Sequence, residues 1–342
     1  MKRILVLIWL IGIADLSIGY CQSTSVDRAA FFNDTSTIQA TLVTNLDKIL
    51  SNHRKKDNEV PGVFIYSQPD GQKITNPVTL RVRGNFRLQY CLVPPLKIKF
   101  NSNDSSVLHL LKTLELVSTC KISNDFEQYL LKEYLIYRIY NLLTEKSFRA
   151  RLLRLNLQDS AAKKKPVYFY AFLLEDLKDL AKRNGYKEWG KGNIKSSAID
   201  RQQVAMVSIF QYMIGNLDWG LSPNHNVKLI ASLKDTTGGL NIIPYDFDYS
   251  GFVNAHYAVS NDEELENVKQ RKYIGLPRTL TELEEVLVIF KQKKSQIYDL
   301  VNHFNLLTSK SKKEITDYLD EFYDMIGHSD KVKLNFVPEA NQ

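Results

Sequence analysis

Apolar and polar positions follow two different periods along the chain, and the change of period divides it. From about 61 to 174 the pattern is that of strands. Runs at 63–66, 78–83, 96–100 and 167–174 are apolar or alternating and are bounded by Pro, Gly, Asn and Asp. In the run at 96–100, Leu96, Ile98 and Phe100 share one face while Lys97 and Lys99 share the other. One long helix interrupts the strands. Asn124 followed by Glu127 reads as its capped start, and Phe126, Leu130, Leu131, Tyr134, Leu135 and Tyr137 keep helical spacing. Beyond Glu175 helices take over. A short one at 176–184 is closed by Gly185, and Asp200 with Gln203 caps another that runs to about 214. Strands at 227–231 and 240–244 follow, and two tail helices open near Thr281 and Glu284 and near Ser311 and Glu314. A sheet-rich half therefore precedes a helix-rich half, with Glu175 near the join and a cleft expected between them.

The first residues stand apart from this pattern. Met1-Lys2-Arg3 is followed by an uncharged run from 4 to 14, then Asp15 and a polar exit through Gly19-Tyr20-Cys21. That layout predicts an export signal over 1–22, too short for a bilayer span, which needs about 20 apolar residues. Tyr20 stands before Cys21 where lipoprotein signals carry a small residue, which argues against a lipid anchor. The remainder reads as a helical extension at 23–59, a sheet-rich lobe at 60–175, a helix-rich lobe at 176–330 and a tail at 331–342. No later segment is apolar enough to cross a membrane. Losing Lys2, Arg3 and Asp15 takes the net charge from +7 to +6, and the basic residues are scattered, which excludes a nucleic-acid footprint. Cys91 and Cys120 remain as a pair in an oxidising compartment, with no histidines at zinc spacing, so a disulfide is expected.

The candidate chemistry lies around the strands at 227–231 and 240–244. A helix leads into Asn216-Leu217-Asp218, a loop ends at His225-Asn226, and the second strand runs into Tyr245-Asp246-Phe247-Asp248. A hairpin brings its two ends together, so Asp218, Asn226 and Asp246 can converge. Two carboxylates and an amide oxygen suit Mg²⁺ or Mn²⁺ better than zinc. Phosphoryl transfer uses such a set, one Asp orienting the hydroxyl while an Asn and a second Asp hold metal. His225 reads as a hydrogen-bonded loop histidine, and Arg83 and Arg87 as partners of acids across the sheet.

These residues resemble the motifs of the CotH-type secreted kinases, the spore-coat family. Arg81-Val82-Arg83-Gly84-Asn85, Pro95 to Phe100, Tyr170 to Leu177, Gly215 to Asp218 with Asn226, and Ile243 to Asp248 carry the resemblance. It implies an α+β, bilobal, atypical protein-kinase-like fold with a sheet-rich N-lobe and a helix-rich C-lobe. By the same resemblance Asp218 is the catalytic base or orienter, Asn226 and Asp246 ligate metal, and Asp248 is a second ligand or a structural acid. Lys97 or Lys99 touches the nucleotide phosphates, Glu133 pairs with that lysine, and Glu175 is the acidic residue at the lobe junction beside the nucleotide. The implied cofactors are Mg²⁺ or Mn²⁺ with ATP as phosphate donor. The implied substrate is an exported protein, and the implied place is secreted, periplasmic or at the cell envelope of a bacterium. Gly84 stands alone without a glycine-rich loop, no His-Arg-Asp triplet is present, and an envelope is poor in ATP. The alternative is therefore a catalytically inactive binding or scaffold protein of the envelope. A nucleotide-sugar transferase using Asp246 and Asp248 ranks last, because the parallel strand–helix alternation of that fold is missing.

Overall fold

Seven strands in the first half of the chain close on themselves. The computed structural model describes residues 28–51, 58–67, 71–84, 91–101, 107–190, 196–221, 224–233, 239–260 and 262–337; the expected export signal, Cys21, Asn85 and Arg87 lie outside them. The strands are β1 (Ile38–Thr44), β2 (Val60–Ser67), β3 (Lys73–Val82), β4 (Leu96–Phe100), β5 (Thr113–Ser118), β6 (Ala150–Asp159) and β7 (Val167–Leu174), in the barrel order β1-β2-β3-β4-β5-β7-β6. All neighbours are antiparallel except β1 and β6, whose parallel pairing from Ile38–Leu153 to Thr44–Asp159 shuts the barrel. Closure removes the open edges that a free sheet would leave for another chain.

This corrects the expected bilobal kinase-like architecture. The stretch read as a helical extension supplies β1, flanked by the short helices α1 (Arg28–Asn33) and α2 (Leu46–Ser51), and β1 turns the sheet into a mixed barrel. The barrel and the helical half also share a wall instead of facing each other as separate lobes. On β6 and β7, Leu153, Leu155, Phe169, Ala171 and Leu173 fill the barrel interior with Leu42, Leu80 and Ile98. Their outward neighbours Ala150, Leu152, Phe172 and Leu174 join the helical core. A strand stretch buried on both faces needs apolar residues at every position, which explains the continuous run Ala171–Leu174 in β7, while β6 alternates from Leu153 onward.

After α3 (Val107–Leu111), the 20-residue helix α4 (Asn124–Leu143) lies on that wall, Tyr134 and Tyr137 meeting Phe172 with ring centroids 6.0 and 5.6 Å apart. Next come α5 (Leu177–Arg183), β8 (Tyr186–Glu188), α6 (Arg201–Ile214), β9 (Gly220–Leu221), β10 (Asn224–His225), β11 (Val227–Ser232) and β12 (Asn241–Pro244). Strands β12, β11 and β8 form a three-stranded sheet in that order. The chain ends in α7 (Leu280–His303), α8 (Ser309–Ile326) and α9 (Ser329–Phe336), the last covering part of the segment read as a tail. Among the described residues no helix is long and apolar enough to cross a membrane. The expected Cys91–Cys120 disulfide is formed, and it ties the entry to β4 to the exit of β5.

Candidate functional site

The site begins where α6 stops. Asp200 caps the start of that helix by accepting the Gln203 amide, and Gly215 ends it at φ 62°, where a side chain would run into the Tyr318 hydroxyl. Asn216 follows, buried at 1 % exposure; its Nδ2 donates to Gln211 Oε1 at 3.1 Å and its Oδ1 accepts the Asp218 amide at 3.1 Å. The backbone of Asp218 is thus fixed from the helix core.

Across the loop, Asn226 sits in the left-handed region at φ 50°, which Asn tolerates better than most residues. Its Nδ2 donates to the Asp218 carbonyl at 2.7 Å and to Asp218 Oδ2 at 3.0 Å, and its own carbonyl accepts the Tyr245 amide at 3.0 Å. Val227 then pairs with Pro244 as the hairpin starts. Asp246, one residue past Tyr245, also adopts a left-handed conformation at φ 63°. Its amide donates to the hydroxyl of Tyr137 on α4 at 2.9 Å. The hairpin therefore brings Asn226 onto Asp218 and ties Tyr245, the residue before Asp246, to the Asn226 backbone. Burial, then the charges of Glu133, Asp246 and Glu115, hold the Tyr137 phenol well above its ordinary pKa. The hydroxyl stays protonated and neutral beside these acids.

Other expected residues are placed differently. Lys97 and Lys99 are exposed on the outer face of β4, opposite Glu115 and Thr113 of β5. Both line a groove of about 490 Å³ together with Arg81, Lys178, Asp176 and Asp179. Glu133 is buried on α4 at 2 % exposure, and neither lysine forms an ion pair with it. Glu175 is a structural acid. Its Oε1 accepts Arg183 Nε at 2.8 Å, and its Oε2 accepts Arg183 Nη2 and the Arg149 amide, each at 3.0 Å. Asp248 is 6 % exposed and accepts the Tyr257 hydroxyl at 3.2 Å, which anchors the following loop. Arg83 pairs with Glu115 at 2.9 Å, the cross-sheet role read for it.

His225 is the hydrogen-bonded loop histidine its place in the sequence suggests, and sequence reasoning missed one member of this network, the Tyr137 hydroxyl. His225 Nε2 lies 2.8 Å from Asp218 Oδ1, so both carboxylate oxygens are engaged. The Tyr137 hydroxyl reaches Asp246 across a sequence separation of 109 residues, and its helical spacing marks it only as a core residue. Among the described residues no three His, Cys, Asp or Glu side chains gather closely enough to hold a metal ion. Asn226 and the segment that carries Asp246 are joined by the backbone bond from the Tyr245 amide to the Asn226 carbonyl at 3.0 Å. Mg²⁺ usually takes only one or two carboxylates from a protein and completes its shell with water and substrate phosphates, so a site of that kind needs fewer acids than a three-carboxylate cluster. No protein-family model matches the chain, and no curated protein matches it either.

Proposed function

We propose that the chain is an exported, metal-dependent phosphotransferase that moves a phosphoryl group from a nucleotide to a protein hydroxyl, by chemistry similar to that of the CotH-type secreted kinases. The observation that carries this reading is the contact of Asp218 with Asn226 at the open end of the β11–β12 hairpin, where the Tyr245 amide next to Asp246 bonds to the Asn226 carbonyl. The resemblance is one of motifs. The barrel is a different scaffold, and activity resides in sites rather than in folds.

In this reading Asp218 orients the acceptor hydroxyl, and Asn226 Oδ1 and Asp246 hold the divalent cation. A bound Mg²⁺ or Mn²⁺ would neutralise charge on the nucleotide phosphates. The groove bearing Lys97, Lys99 and Arg81 supplies positive charge for the rest of an ATP-like ligand. Glu115 faces Lys97 across the ladder, and its negative charge is among those that raise the pKa of Tyr137. The disulfide supports a destination outside the cytoplasm, where such bonds persist.

A titration of thermal stability with ATP and Mn²⁺ or Mg²⁺ tests the binding half. Stabilisation is expected, and Asp246→Ala should remove it. Transfer of labelled γ-phosphate to an exported protein tests the other half, and Asp218→Ala should abolish it. Intact transfer in Asp218→Ala refutes the assigned role.

A second reading, a nucleotide-binding envelope protein without turnover, draws on the two engaged oxygens of Asp218. A hydroxyl must displace His225 to reach them. Nucleotide binding without any transfer would select it.

A further inference from the structure

A second concave site lies on the far side of α6, between its first turn, the first turn of α7, and α9. It encloses about 440 Å³ and presents Arg201, Arg278, Thr279 and Lys333 above the apolar side chains of Leu280 and Val337. Arg278 is its centre. This residue is only 4 % exposed. Its Nε donates to the Arg201 carbonyl at 3.2 Å and its Nη1 to the Pro277 carbonyl at 2.8 Å, both neutral acceptors. Among the described residues nothing engages Nη2.

The nearby acids are already committed. Glu282 closes the capping box of α7 with Thr279 and accepts Arg201 at 2.8 and 3.1 Å. Asp200 accepts the Gln203 amide at 2.7 Å. Burial, and then repulsion from Arg201, push the Arg278 guanidinium below its ordinary pKa. Buried charges in proteins are normally paired, and among the described residues no carboxylate contacts this guanidinium, Glu282 and Asp200 acting on it only at a distance. Lys333, exposed on α9, adds a second cation without an ion-pair partner among the described residues. The 24-residue helix α7 adds the N–H groups of Leu280 and Thr281, which by position have no intrahelical acceptor.

We propose that this groove binds a phosphate-type oxyanion, a phosphate or sulfate group free or in ester linkage, with Arg278 Nη2 and Lys333 Nζ as its charged partners. Donors arriving from the loop before α7, from its first turn and from α9 suit a tetrahedral anion better than a planar carboxylate. The apolar side chains leave room for the group that carries it. The site is separate from Asp218 and Asp246, so it stands or falls independently of phosphoryl transfer.

The test is calorimetric titration of the full chain carrying Asp246→Ala with inorganic phosphate, sulfate and phenyl phosphate at low salt. Saturable binding is expected. It should weaken at least about tenfold in Lys333→Gln, an exposed position whose change leaves the fold intact, and be lost in Arg278→Gln. Phenyl phosphate binding without inorganic phosphate, still sensitive to Lys333→Gln, identifies an ester ligand. Absence of saturable binding by all three probes, or equal binding in Lys333→Gln, overturns the proposal.

Discussion

Replacing Tyr137 by Phe removes one oxygen and tests how the helical core holds the site. The ring is 2 % exposed and packs on Phe247 and Phe172 at centroid distances of 4.8 and 5.6 Å, contacts that Phe retains. What disappears is the acceptor for the Asp246 amide, 2.9 Å away. An amide left unpaired in a fully buried place costs about 1–3 kcal/mol. Asp246 is half-buried, so water can partly replace the hydroxyl and the expected loss is about 1 kcal/mol. That corresponds to a midpoint lowered by roughly 2–4 °C in thermal unfolding. Holding Asp246 in the left-handed region also opposes its backbone preference, by about 1–2 kcal/mol for an ordinary residue. Without the bond, Asp246 should relax, and stabilisation by ATP with Mn²⁺ should shrink more than global stability does. The phenol titrates only above its usual range, so the loss should be the same at about pH 6 and about pH 9. Urea denaturation at both pH values, with and without ligand, measures all of this. A variant within about 0.3 kcal/mol of the parent and with an unchanged ligand shift would refute the coupling.

Two further outcomes are expected elsewhere in the fold. Cys91→Ser with Cys120→Ser opens a loop spanning 29 residues and should cost about 3 kcal/mol in denaturation free energy, a loss that added reductant reproduces in the parent; a cost below about 0.5 kcal/mol would count against the bridge as a stabiliser. Asp34, held to about 2 chiefly by its hydrogen bond from Arg151, contributes stability that is complete above the ordinary carboxylate pKa of 3.8 and disappears as pH falls toward 2. Its side chain is 46 % exposed, so screening limits the effect to about 1 kcal/mol or less. Asp34→Asn should be less stable than the parent at neutral pH, and the gap should close below about pH 3; a gap independent of pH would contradict the assignment.

Strands with clean boundaries were legible in the sequence. The alternation Leu96, Ile98, Phe100 against Lys97, Lys99 marks β4 to the residue, and the run ending at Leu174 marks β7. By contrast, β6 has apolar residues on both faces, and β1 is a lone alternation before a polar stretch, so neither announces itself. Their parallel pairing is invisible to any local pattern, and it decides between an open sheet and a barrel. Helix caps drifted by two or three residues: α7 starts behind Thr279 with Glu282, not at Thr281 with Glu284. At the site, Asp218 and Asn226 could be placed together because they flank the loop that leads into the hairpin. An acid at a strand end says nothing of Arg183, which engages both oxygens of Glu175 from α5.

Barrel closure also has a temporal side. Ile38 must find Leu153, and the two are separated by most of the barrel's own sequence. During synthesis or passage through a translocation channel, β1 emerges early and one of its two neighbours emerges late. Until β6 arrives, one edge of β1 stays open, and pairings between such distant segments form slowly. A chain of this design passes an interval with that edge unpaired. A holding factor would meet it there, at 38–44, before any part of the hairpin site exists.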